Sequence, residues 1–139
     1  MADDMIATLR AVPLFHSLSD KDLRAILEIT KEVSLEAGHT TVEQDASAVG
    51  FHLILEGEAD IEVSGRYVAT FGPGDYFGEV SLIDGKPRTA TVRTKTAMRS
   101  LVIPSWSFNA LLDRYPAIAK ELLLMLCARL RNVEAMITH

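Results

Sequence analysis

The sequence is short of several things at once. Its 139 residues include one cysteine, Cys127, and one tryptophan, Trp106, and only 6% are aromatic. A lone cysteine closes no internal disulfide and suits a reducing compartment. No run approaches the roughly 18 apolar residues that a membrane span needs. Cationic residues do not dominate: 14 Lys and Arg stand against 19 Asp and Glu, for a net charge of −5. Duplex binding rests on clustered Lys and Arg, so direct nucleic-acid binding is not expected. There are four histidines, His16, His39, His52 and His139, with no His-x-His pair. His52 and Glu56 lie four apart in a strand-like run and should share a face, but they supply only two ligands. No metal is expected, and the histidines are assigned surface or capping roles. The first residues, Met1-Ala2-Asp3-Asp4, are acidic and no apolar signal core follows. The expected location is cytoplasmic, with no membrane partner.

What is present is an ordinary globular mixture, 48% hydrophobic and 24% charged. That length and composition fit one domain over 1–139, large enough to bury a core. Residues 4–12 have weak helical character, and Pro13 interrupts it. Ser19 with Asp22 three residues on reads as a helix start, and Leu23, Ile26 and Leu27 mark one face of a helix over 20–30. From Lys31 the period changes to two. Strand-like runs follow at Val33–Leu35, 39–43, 51–56, 58–63, 66–71, 91–94 and 98–103, with a hairpin turn at Ser64-Gly65 and a break at Gly72-Pro73-Gly74-Asp75. About eight short strands without βαβ alternation favour an antiparallel barrel or double-sheet roll. Pro104 ends the strands and a helix runs to Tyr115. Pro116 suits the first turn of a second, long helix reaching about Ile137. Along it, Ala119, Leu123, Leu126, Leu130, Val133 and Ile137 alternate at spacings of four and three, a seam suited to packing against a partner helix or the roll.

The chemistry concentrates in one stretch, 77–91. The preceding Gly72-Pro73-Gly74 is not Gly-x-Gly-x-x-Gly and lacks the Gly-Lys-Ser/Thr ending of a phosphate-hydrolysing loop. No Gly-x-Ser-x-Gly elbow is present either. Binding remains. Phe77-Gly78-Glu79 leads into Val80-Ser81-Leu82, a short helix whose first N–H groups suit an anion. Gly78 admits a ligand close to the backbone. Arg88 offers a fork of donors to phosphate oxygens and Thr89 adds a hydroxyl. Glu79 is a poor neighbour for phosphate but a good acceptor for sugar hydroxyls. One unit therefore suits a ligand with a sugar at one end and a phosphate at the other.

Phe77-Gly78-Glu79-Val80-Ser81-Leu82 and Pro87-Arg88-Thr89-Ala90-Thr91-Val92 closely resemble the phosphate-binding cassette of cyclic nucleotide-binding domains. That family includes catabolite activator proteins, kinase regulatory subunits and gated channels. The resemblance extends to Val12-Pro13-Leu14-Phe15, to Phe51–Ala59 and to the run from Phe71 to Glu79. It implies an α+β fold: an eight-stranded antiparallel, jelly-roll-like β-roll (31–103, cassette 77–91), an N-terminal helical segment (1–30), and C-terminal hinge and lid helices (104–139). It implies a non-enzymatic regulatory sensor of cAMP or cGMP that needs no cofactor. Glu79 would accept the ribose 2′-OH. Backbone N–H groups around Gly78, Val80 and Ser81, with Arg88 and Thr89, would hold the cyclic phosphate, and Phe77 and Ala90 would complete the ligand-binding residues. Thr89 stands where a threonine weakly favours guanine. Relatives often carry a glycine after the Gln of the second strand, whereas Gln44 is followed by Asp45-Ala46-Ser47.

In the family a residue of the last helix covers the purine. Arg129, Arg131, Asn132 and Val133 are the candidates, and ligand is expected to move that helix. The same helix offers a face to a second copy of the chain or to another protein. No helix-turn-helix follows Ile137, so contact with DNA is not expected. The alternative is a degenerate roll that binds no nucleotide and serves in protein interaction.

Overall fold

The computed structural model describes residues 2–42, 50–84, 86 and 90–138. They form two compact units, Met1–Ala25 with Ala110–His139, and Ile26–Asn109.

The second unit is the roll. Its eight strands, among the described residues, are β1 (Lys31–Leu35), β2 (Thr40–Val42), β3 (Gly50–Glu56), β4 (Ala59–Val63), β5 (Arg66–Phe71), β6 (Tyr76–Phe77), β7 (Thr91–Thr94) and β8 (Met98–Pro104). They pair antiparallel into two four-stranded sheets, ordered β1-β8-β3-β6 and β2-β7-β4-β5. The expected roll is therefore the observed one. Ile54, Phe77 and Met98 from one sheet meet Ala59, Ile61 and Val92 from the other in a single apolar cluster. Burying each large side chain of this kind is worth about 1.5–3 kcal/mol, which holds the sheets face to face.

Local chemistry fixes the turns. Ser64 and Gly65 both have positive φ, 52° and 77°, as a two-residue hairpin between β4 and β5 requires. Gly57 has φ 88°, and a Cβ there would lie 2.2 Å from the Ala97 carbonyl oxygen. No side chain fits that approach. The run expected at 39–43 forms β2 as far as Val42, while 43–49, including Gln44-Asp45-Ala46-Ser47, lie outside the described residues.

In the helical unit, α1 (Ala2–Arg10) leads to a 3-10 turn at Pro13–Phe15 and then to α2 (Asp20–Ile29). The Ser19 hydroxyl accepts a hydrogen bond from the Asp22 N–H at 3.2 Å, the cap read from the sequence. Arg10 pairs with Asp20 and donates to the Leu18 carbonyl at 3.1 Å. After α3 (Glu79–Asp84) and α4 (Ser105–Arg114), Pro116 opens α5, Pro116–Thr138. This helix packs on the 3-10 turn, and Glu121 lies 3.6 Å from the His16 imidazole.

The seam expected on α5 is not the face that the fold buries. The buried stripe is Tyr115, Ile118 and Leu122, whereas Leu123, Leu130, Val133 and Ile137 are exposed. Heptad spacing alone does not say which of two adjacent stripes meets the turn. The buried one carries Ile118 and Leu122.

Candidate functional site

The approach to the site is pinned by its backbone. The Gly72 N–H donates to the Asp75 carboxylate at 2.8 Å, and the Asp75 N–H donates to the Gly72 carbonyl at 3.0 Å. The Gly74 N–H donates to the Ile54 carbonyl at 2.9 Å, and the Ile54 N–H returns a bond to Asp75 at 2.9 Å. These N–H groups are spent on internal acceptors. Gly72–Asp75 is thus a structural turn anchored on β3, not a phosphate loop.

That anchor delivers β6. Tyr76 and Phe77 are both buried, and Phe51 packs between Tyr76 (5.3 Å between centroids) and Phe108 (5.2 Å). Phe77 stacks on His52, with centroids 4.7 Å apart and planes 7° from parallel. Gly78 follows with φ 98°, a conformation that turns the chain out of the strand and that L side chains resist. Glu79 then opens α3 and is only 3% exposed. A carboxylate so buried is costly without partners, and the first turn of a helix favours negative charge. Val80 and Ser81 lie in the helical backbone of α3. Leu82 is buried and Ile83 exposed, so the helix rests on one side only. The Asp84 carboxylate accepts from the Lys86 N–H at 2.9 Å, which ends the helix in a turn.

Ala90 is half-buried and packs on the cluster that contains Phe77. The two ends of the stretch, separate in sequence, thus rest on one support. Arg88 and Thr89 lie outside the described residues. On α5, Arg131, Asn132 and Val133 are exposed and Arg129 is partly covered.

His52 was missed as a site neighbour. Its expected surface or capping role is wrong, because it is buried against Phe77. Nor does it share a face with Glu56. The β3–β8 register shifts between Ile54 and Glu56, and such a bulge reverses the side-chain alternation. Glu56 is turned to the surface, where it takes a 2.7 Å hydrogen bond from Arg99. Gly50 through Ile54 are all buried, and that continuous burial was the available signal: Phe51-His52-Leu53-Ile54-Leu55 does not alternate. Among the described residues no group of three or more His, Cys, Asp or Glu is placed to hold a metal, and no helix is long and apolar enough to cross a membrane.

Comparison with known proteins agrees with this geometry. Residues 32–115 match the cyclic nucleotide-binding domain. The chain is 35% identical over 105 residues to the cAMP-dependent protein kinase regulatory subunit of Schizosaccharomyces pombe, covering 75% of this chain and 26% of that one. It spans about a quarter of the length of the curated relatives it matches. Among solved structures, the Thermus thermophilus catabolite activator protein superposes with a TM-score of 0.82 at 27% identity, over 91% of this chain and 62% of that one. The regulatory domain of Toxoplasma gondii PKA, crystallised with cAMP, gives 0.71 at 30% identity, over 79% and 44%. A family match over more than half the chain, on a roll that supports both ends of the cassette, makes this chain a member of the cyclic nucleotide-binding domain family.

Proposed function

We propose that the chain is a regulatory sensor that binds a cyclic nucleotide, cAMP or cGMP, at residues 77–91 without catalysing a reaction. Residues 1–139 act as one such domain. Glu79 takes the ribose 2′-OH. The backbone around Gly78, Val80 and Ser81 holds the cyclic phosphate with Arg88 and Thr89, while Phe77 and Ala90 seat the stretch on the roll. The observation that carries this reading is the buried carboxylate of Glu79 directly after Gly78. A buried acid at the start of a short helix suits hydroxyl recognition better than hydrolysis. The cAMP dependence of the Schizosaccharomyces pombe kinase and the cAMP crystallised with the Toxoplasma gondii domain support the same choice.

Bound nucleotide then favours one position of α5 by its differential affinity for that state. Arg129, Arg131, Asn132 and Val133 are the residues proposed to cover the purine. The helix passes the change to a protein partner, in the cytoplasm and without direct contact with DNA. A thermal-shift comparison tests the ligand class. cAMP or cGMP should raise the melting temperature while linear AMP at the same concentration does not. Equal shifts with all three, or none, reject the reading.

A further inference from the structure

Phe77 is the last residue that the sheet holds before the ligand stretch begins. β6 is two residues long, and it registers with β3 through the pairs Leu53–Tyr76 and His52–Phe77. Gly78 then turns the chain away at φ 98°. Up to the bulge after Ile54 the side chains of β3 alternate, so His52 shares a face with Ile54, and Phe51 shares the other with Leu53. Ile54 lies with Phe77 in the cluster between the sheets, while Phe51 packs on Phe108. His52 therefore looks into the roll. There its imidazole lies flat on the Phe77 ring, 4.7 Å between centroids and 7° from parallel. The helix α3, which Glu79 opens, also lies against β3.

We propose, on the sensor reading above, that His52 is a positioning residue for the nucleotide: its ring sets the plane of Phe77, and through Phe77 the direction in which Gly78 and Glu79 leave the sheet. Filling the core does not call for an imidazole. At 9% exposure the ring keeps polar nitrogens away from water, a cost that a leucine of similar bulk avoids. What leucine lacks is a flat face. Two stacked planes hold each other's tilt, whereas an aliphatic side chain leaves the neighbouring ring free to rock. Phe77 is bonded directly to Gly78, which has no side chain of its own to fix the turn. A tilt of Phe77 is thus passed to the backbone N–H groups proposed for the phosphate and to the carboxylate proposed for the ribose. His52 acts in this role through Phe77, not by contact with the ligand.

Calorimetry of the whole chain with cAMP and with cGMP tests this. For whichever nucleotide the parent binds, His52→Leu should weaken binding about three- to tenfold, the range expected of one aromatic pair. The ligand-free melting temperature should move by no more than about 4 °C, because leucine fills the same space without polar atoms to bury. His52→Phe restores a flat ring and should recover most of the lost affinity. A double-mutant cycle reports the route. In a Phe77→Leu background, His52→Leu should change affinity by less than about twofold, since the ring it orients is gone. Unchanged affinity in His52→Leu overturns the proposal and leaves the sensor reading standing. So does an equal loss in His52→Leu and His52→Phe, or a His52→Leu chain that fails to fold, which would make the ring a core residue. A full, additive loss in the Phe77→Leu background overturns the route through Phe77. A parent chain that binds neither nucleotide overturns both the proposal and the sensor reading.

Discussion

The two halves of α5 are one helix with two different jobs. Ile118 and Leu122 are buried, Ile118 completely, as is Tyr115 just before the helix. The very next residues, Leu123 and Leu124, are exposed, and Met136 and Ile137 are among the most exposed apolar side chains described. Both stretches carry leucine, so that residue type alone does not separate them. The helix packs on the Pro13–Phe15 turn, and Glu121, on the first half, lies 3.6 Å from the His16 imidazole. Burial, not residue type, therefore decides which leucine stabilises the fold.

Substitutions along the helix should trace that division. Leu122→Ala should cost the most, about 2–5 kcal/mol, because it empties a packed site. Denaturant unfolding at low protein concentration measures it. A loss below about 0.5 kcal/mol, the range of ordinary surface changes, would erase the distinction between the halves. Ile118→Val, at the fully buried position, should cost about 0.5–1.5 kcal/mol in the same assay. Leu130→Ala should fall within about 0.5 kcal/mol of the parent when dilute, since its side chain already faces water. If it instead unfolds the monomer, the second half is part of the core.

How far the sequence led depends on how local each feature is. The Ser64-Gly65 hairpin, the Ser19 cap and the Pro116 helix start are decided by two to four adjacent residues, and all were legible. So was the roll, because its alternation and turns recur at short intervals. The buried stripe of α5 was not, since it depends on the turn that packs on it. His52 was misplaced for a related reason. The bulge between Ile54 and Glu56 is a property of two paired strands, and spacing along β3 alone conceals it. The candidate site divides in the same way. Phe77, Gly78 and Glu79 were named from their residue types. That Ala90 returns to the support beneath Phe77 needed the two sheets in place. Arg88 and Thr89 rest on resemblance, and their roles are proposals.

The central claim is that the 77–91 stretch binds a cyclic nucleotide, with the acid at Glu79 on the sugar and the guanidinium at Arg88 on the phosphate. Titration calorimetry of the parent and Arg88→Leu chains, each with cAMP and cGMP, tests it most directly. The parent should bind at least one of the two. Removing a desolvated, charge-assisted contact should weaken that binding by roughly 2–5 kcal/mol, about 30-fold or more. A parent chain that binds neither nucleotide, or an Arg88→Leu variant with unchanged affinity, would contradict the account.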